Sequence, residues 1–217
     1  MRTVMLALSL ALWGAIAPVH AQPTPEDLLR QTAAVVIDVL QKERLTLERN
    51  PERVHELMDQ IIFPHIDMPR VARLVLGRYW RQATPEQRTR FTQEFKRLLQ
   101  RSYAAAIQTY LEEITEQAPR VKIHYAPVRR DPEDPDEVMA RTVIETPRGN
   151  SYSVDYRMYL RDGEWKIYDI VIEGISLLTN YRTSLASQAR RVGVDGLIAE
   201  LAARNRRGDI APAELPQ

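Results

Sequence analysis

Residues able to do chemistry are few and scattered in this 217-residue chain. Downstream of residue 21 the histidines are His55, His65 and His124, each isolated, with no second ligand at metal-site spacing. No GxSxG, HExxH, P-loop or GxGxxG pattern occurs. The acidic run Asp131, Glu133, Asp134, Asp136 and Glu137 could in principle attract Ca²⁺, but it has neither the central Gly nor the terminal bidentate Glu of an EF-hand loop. Pro132 and Pro135 also stiffen it, so it reads as a solvated hairpin tip. There is no cysteine, which removes disulfides and thiolate chemistry. Four charged residues lie inside alternating apolar runs: Asp155, Arg157, Asp169 and Glu173. They can be ion pairs on a sheet face, or one Asp can serve as a base in an apolar cavity.

Charge excludes another class. With 30 basic against 29 acidic residues, and no Lys/Arg run longer than two, the chain has no means of holding nucleic-acid phosphates by counterion release. Residues 1–21 read as a signal peptide. Arg2 is the positive start, Val4 to Ala17 the apolar stretch, and Val19-His20-Ala21 the small-residue cleavage pattern. No later segment approaches the roughly 18 consecutive apolar residues of a membrane span. The expected product is exported and soluble, a single domain over residues 22–205 with a flexible tail over 206–217.

The elements that must carry these residues follow from periodicity. Thr24-Pro25-Glu26-Asp27 starts a helix expected to reach about Arg44, and Asn50-Pro51-Glu52 starts a second that Pro64 closes. Asp67 can cap a third, ended by Gly77. Thr84-Pro85-Glu86-Gln87 is a capping box opening a long helix, with Phe91, Phe95, Leu98, Leu99, Tyr103, Ile107, Tyr110, Leu111 and Ile114 forming one apolar stripe. Beyond Pro119 the period changes to two. Four strand-like runs follow, at 121–125, 137–146, 152–160 and 165–172, with Asp162-Gly163 as a two-residue hairpin turn between the last two. Helical spacing resumes after Gly174 and again after Gly193. Helices first and strands second describe an α+β fold with a four-stranded antiparallel sheet packed on a helical layer.

Apolar supply exceeds what a sheet with one wet face requires. In the last two strands Tyr152, Val154, Tyr156, Met158 and Leu160 share one parity, while Trp165, Ile167 and Val171 are opposed by Tyr168, Ile170 and Ile172. Either helices cover both faces, or part of the surplus lines a cavity between sheet and long helix. The residues alone leave both open.

Three segments carry a resemblance. WKIYDIVIEGISLLTNYR (Trp165 to Arg182), LGRYWRQATPEQRTRFTQEFKRLL (Leu76 to Leu99) and Gly193-Val194-Asp195-Gly196-Leu197-Ile198 resemble, in order and spacing, the MlaC family of periplasmic phospholipid-binding proteins, also called toluene-tolerance proteins. The resemblance implies a cone-like α+β domain whose curved sheet and helices enclose an apolar pocket for phospholipid acyl chains, with the headgroup outside. It implies no catalysis and no cofactor, the phospholipid being cargo. It implies as partners an outer-membrane lipoprotein-porin complex and an inner-membrane ABC transporter with its substrate-binding ring subunit, and as role the maintenance of outer-membrane lipid asymmetry. A periplasmic cone-fold enzyme using Asp155 or Asp169, and a ligand-free adaptor binding a protein at its sheet edge, are the competing readings.

Apolar positions on the faces expected to meet are the pocket candidates: Val71, Val75, Phe95, Leu99, Tyr103, Val121, Ile123, Val143, Val154, Tyr156, Met158, Val171, Leu177 and Tyr181. Arg78, Lys96, Arg97 and Arg101 are either a phosphate-facing rim or a solvated helix face. On this reading a charge inside the pocket, as in Val154→Glu, abolishes lipid co-purification with the fold intact by circular dichroism; normal lipid content contradicts it.

Overall fold

The structure is a computed structural model, and it describes residues 23–109, 111–130, 133 and 136–207. The segment read as a signal peptide, Asp131 and Asp134 of the acidic run, and residues 208–217 lie outside the described residues. Eight helices and six strands are described, helices first: α1 (Pro25–Lys42), α2 (Arg44–Arg49), α3 (Pro51–Leu57), α4 (Met68–Leu76), α5 (Arg78–Gln82), α6 (Pro85–Thr109) and α7 (Leu111–Gln117). Then come β1 (Lys122–Tyr125), β2 (Arg129–Arg130), β3 (Glu137–Glu145), β4 (Ser151–Arg161), β5 (Glu164–Ile172), β6 (Ile175–Ser176) and α8 (Leu177–Arg207).

Local chemistry sets the helix starts. At α1 the Thr24 hydroxyl accepts from the Asp27 N–H at 3.1 Å while Asp27 accepts from the Thr24 N–H at 3.0 Å. The same reciprocal pair forms at α6, between Gln87 N–H and Thr84 Oγ1 at 3.2 Å and between Thr84 N–H and Gln87 Oε1 at 2.8 Å. The helix expected to reach about Arg44 ends instead at Lys42. After α3 the chain widens into a π-helical turn, Met58–Ile62, then tightens into a 3₁₀ turn, Phe63–His65, that contains Pro64, and the extended Ile66 ends helical structure. Past Gly174, α8 comprises the two expected helical runs, which meet at a kink at Gly193, whose φ of 71° and ψ of 179° only glycine adopts without strain. Arg206 and Arg207, expected in the tail, still belong to α8.

The sheet is antiparallel in the order β1-β3-β4-β5-β6, with β2 also on β3. It therefore has six strands rather than the four expected, because the two-residue β2 and β6 are too short to show a period. Asp162 and Gly163, with φ of 51° and 81°, turn β4 into β5. Pairing runs in step from Val154↔Ile172 to Arg157↔Asp169 and then resumes at Met158↔Ile167, so Tyr168 is an extra residue in β5. That bulge puts Ile167 and Trp165 on the same face as Ile170, Met158 and Tyr156. This face packs on Leu28 and Leu29 of α1, with Val138 and Ala140 of β3. The larger core lies among α4, α6 and α8 around Val75, Leu76, Phe91, Phe95, Leu197 and Leu201. Both sheet faces thus meet helices, which accounts for part of the apolar surplus.

A polar tie fixes α4 to the sheet. Asp67, 6% exposed, accepts from the Arg70 N–H at 3.0 Å, from Arg161 Nη1 at 3.0 Å and from the Tyr159 hydroxyl. Arg70 lies over the rings of Tyr159 and Tyr168, 3.9 and 4.4 Å from their centroids, and pairs with Glu137, which also accepts from the Tyr168 hydroxyl at 2.9 Å. Burial alone would raise the Asp67 carboxyl, but hydrogen bonds from Tyr159, the Arg70 N–H and Arg161 outweigh it and hold the group below its ordinary value. A depressed folded-state value means that the stabilisation is complete above the unfolded value of about 4 and is lost as pH falls through the folded one. Asp67→Asn should therefore lower stability by about 1–3 kcal/mol at neutral pH. In urea titrations the gap to wild type should shrink as the pH falls below about 4; a gap independent of pH contradicts this role.

Candidate functional site: an apolar cavity on the outer edge of the sheet

Among the described residues, the outer edge of β5 pairs with backbone at two places. At one end the Ile66 segment forms a parallel bridge to Ile167, and the Asp67 N–H donates to the Ile167 carbonyl at 3.0 Å. At the other, β6 pairs Ser176 with Val171 and Ile175 with Ile172. Between them Tyr168, Asp169 and Ile170 border a cavity of about 300 Å³. The opposite wall is α6, where Phe95, Leu99, Tyr103 and Ile107 recur every four residues and so stack along one helix face. Met58, Ile62, Phe63 and Ile66 of the irregular stretch close one side, and Leu177, Leu178 and Tyr181 of α8 the other, with Val71 of α4 between.

The lining is almost wholly apolar, and its one carboxylate is already committed. Asp169, 4% exposed, accepts from the Ser176 hydroxyl at 2.7 Å and the Leu178 N–H at 3.0 Å, and pairs with Arg157 at 3.3 Å. It thereby ties the start of α8 to β5. Burial, together with the neighbouring Tyr181, pushes the Tyr103 phenol far up, and burial also raises Tyr181. Both stay neutral at physiological pH. The Tyr103 hydroxyl is sealed from solvent and donates to no described group. Asp155, the other proposed base, is clamped by Arg141 through contacts of 2.6 and 2.7 Å, and this pairing lowers its carboxyl. Each carboxylate is thus held in an ion pair with an arginine of the sheet. Among the described residues there is no cluster of three or more metal-ligating side chains, and no helix long and apolar enough to cross a membrane.

The structure brings six of the fourteen candidate positions to the cavity wall: Val71, Phe95, Leu99, Tyr103, Leu177 and Tyr181. Eight lie elsewhere. Val75 is fully enclosed in the helical core. Tyr156 and Met158 belong to the core under α1, and Val154, on the same parity, is buried one strand inward from the cavity. Val171 is buried where β5 meets β6. Val121 precedes β1, and Ile123 and Val143 pair on β1 and β3, strands separated from β5 by β4. The physical reason is the location of the hollow at a strand edge beside the helices, not over the middle of the sheet. A charge at Val154 would therefore disturb the sheet interior, and Leu99 is the better position for that test.

Several lining residues carried no usable pattern. Ile107 was readable, since it continues the Phe95-Leu99-Tyr103 spacing. Met58, Ile62, Phe63 and Ile66 sit in π and 3₁₀ turns, where the 3.6-residue period fails, and Tyr168 is positioned by a bulge. Of the basic residues weighed as a rim, Lys96 pairs with Asp59 at 2.6 Å and stands 4.7 Å from the Phe63 ring centroid, while Arg97 pairs with Glu94 at 2.8 Å. Arg78 donates to the Tyr79 hydroxyl at 2.9 Å, Arg101 is exposed, and none of the four lines the cavity.

Comparison with known proteins agrees with this architecture. The chain is 30% identical, with a TM-score of 0.69, to a phospholipid-binding protein from Ralstonia solanacearum whose structure contains a phospholipid; the match covers 84% of this chain and 97% of that one. It is 26% identical over 202 residues to toluene tolerance protein ttg2D of Pseudomonas putida, covering 88% of each chain. It is 23% identical over 184 residues to the intermembrane phospholipid transport system binding protein MlaC of Haemophilus influenzae, covering 83% of this chain and 82% of the relative. The family model described as MlaC protein matches residues 30–203, and the chain belongs to the MlaC family.

Proposed function

We propose that this protein is a periplasmic phospholipid carrier, exported by a cleaved signal peptide, that takes up lipid by its acyl chains. It would move lipid between an outer-membrane lipoprotein-porin complex and an inner-membrane ABC transporter with its ring subunit, and so maintain outer-membrane lipid asymmetry. The observation that carries the reading is the dry cavity between the β5 edge and the α6 stripe, in a fold shared with a protein solved in complex with phospholipid. The reading assigns no cofactor and no catalytic residue.

The energetics suit a carrier. An acyl chain gains about 0.8 kcal/mol per methylene on leaving water, so two chains with roughly thirty methylenes disfavour free diffusion by about 24 kcal/mol. Between a bilayer and a dry pocket these terms nearly cancel. Lipid can then be exchanged at small net cost, and the direction of travel comes from the partners.

At about 300 Å³ the cavity lies at the lower end of the range of ligand sites. Leu99 is half-buried on its wall, so a carboxylate there enters the acyl path without opening the helical core. Leu99→Glu, with Leu177→Glu as a second variant, should cut phospholipid co-purifying from cells at least about tenfold, because a buried unpaired charge costs several kcal/mol. The circular dichroism spectrum should be unchanged. Wild-type lipid content in both variants would contradict the proposal.

A further inference from the structure

Resting on the carrier reading, and going beyond it to chain-length selection, we infer that Phe95 is the closed end of the cavity and limits the length of acyl chain it accepts. The helix α6 supplies four lining residues at four-residue spacing, and the first of them is the most deeply buried. Phe95 is 1% exposed, whereas Leu99, Tyr103 and Ile107 are half-buried. At 1.5 Å per residue the row spans about 18 Å, with its most buried member at one end. The seal is built from three directions. The Phe95 ring meets the edge of Tyr181 at 5.3 Å and stacks on Phe91 at 5.8 Å, which stands behind it. Val71 of α4 lines the same cavity and is buried. Lys96, the next residue on α6, holds the Phe63 side of the cavity by ring contact at 4.7 Å and by its ion pair with Asp59.

A chain lying along α6 with its terminal methyl against Phe95 has no further dry space. Each additional methylene must then buckle or remain in water, and a methylene moved from water to a dry wall is worth about fourfold in partition. Polar groups add no selection here, because the lining offers almost none. Selection by length is what an apolar track with a rigid aromatic stop can supply.

The test is competition between dipalmitoyl and distearoyl phosphatidylethanolamine for delipidated protein, read by native mass spectrometry as total bound lipid and as the ratio of the two. Phe95→Leu should shift the ratio toward the longer lipid by roughly 4- to 16-fold. Val71→Leu, which adds bulk at the same end, should shift it toward the shorter lipid. This second variant decides the matter should Phe95→Leu prove unfolded by circular dichroism. An unchanged ratio with normal total lipid in a folded variant overturns the role of Phe95 while leaving the carrier reading intact. A wild-type protein that binds neither lipid removes both.

Discussion

The architecture depends on a gap that is held open. Hydrophobic side chains facing one another across a void lose dispersion contacts and tend to close it. Here β5 and the helical layer are tied at both ends of the cavity by polar contacts whose directions are fixed. Asp67 and Arg70 bind α4 to Tyr159, Arg161 and Glu137 at one end, and Asp169 binds the first turn of α8 at the other. Because Asp67 and Asp169 are buried, breaking their contacts leaves uncompensated charge, so the ties act as spacers. The charged residues inside the strands, which could be read as a catalytic base, are here structural pins around an apolar hollow.

Much of the frame was legible in the sequence, and the reason is local. Capping boxes at Thr24 and Thr84, the Asp67 cap and the Asp162-Gly163 turn each depend on residues within four positions of one another. The α6 stripe was equally clear, and it furnished the candidates Phe95, Leu99 and Tyr103. Positions that depend on long-range geometry were not legible. Val154, Tyr156 and Met158 had the correct apolar character, but parity cannot say which part of a sheet face a helix covers. In β5 the extra Tyr168 shifts the phase of everything before it, so counting by twos from Ile172 mis-assigns Ile167. The side of the cavity formed by Met58 to Ile66 changes helical pitch within nine residues, which no single period describes.

The arrangement also explains how a protein with unremarkable composition can handle so apolar a cargo. One helix face and one strand edge supply the contact, and the remainder of the surplus goes into two ordinary cores on either side of the sheet. The site needs no titrating group. Its phenols are held neutral by burial, and its one carboxylate accepts from the Ser176 hydroxyl and the Leu178 N–H.

The central claim is that this cavity holds the acyl chains of a phospholipid inside the cell. Native mass spectrometry of the protein taken directly from its own cells, without added lipid, tests it most directly. The account predicts a bound mass that fragments to a diacyl phospholipid in stoichiometric amount. Protein that emerges at its bare polypeptide mass under conditions that preserve non-covalent complexes would contradict it.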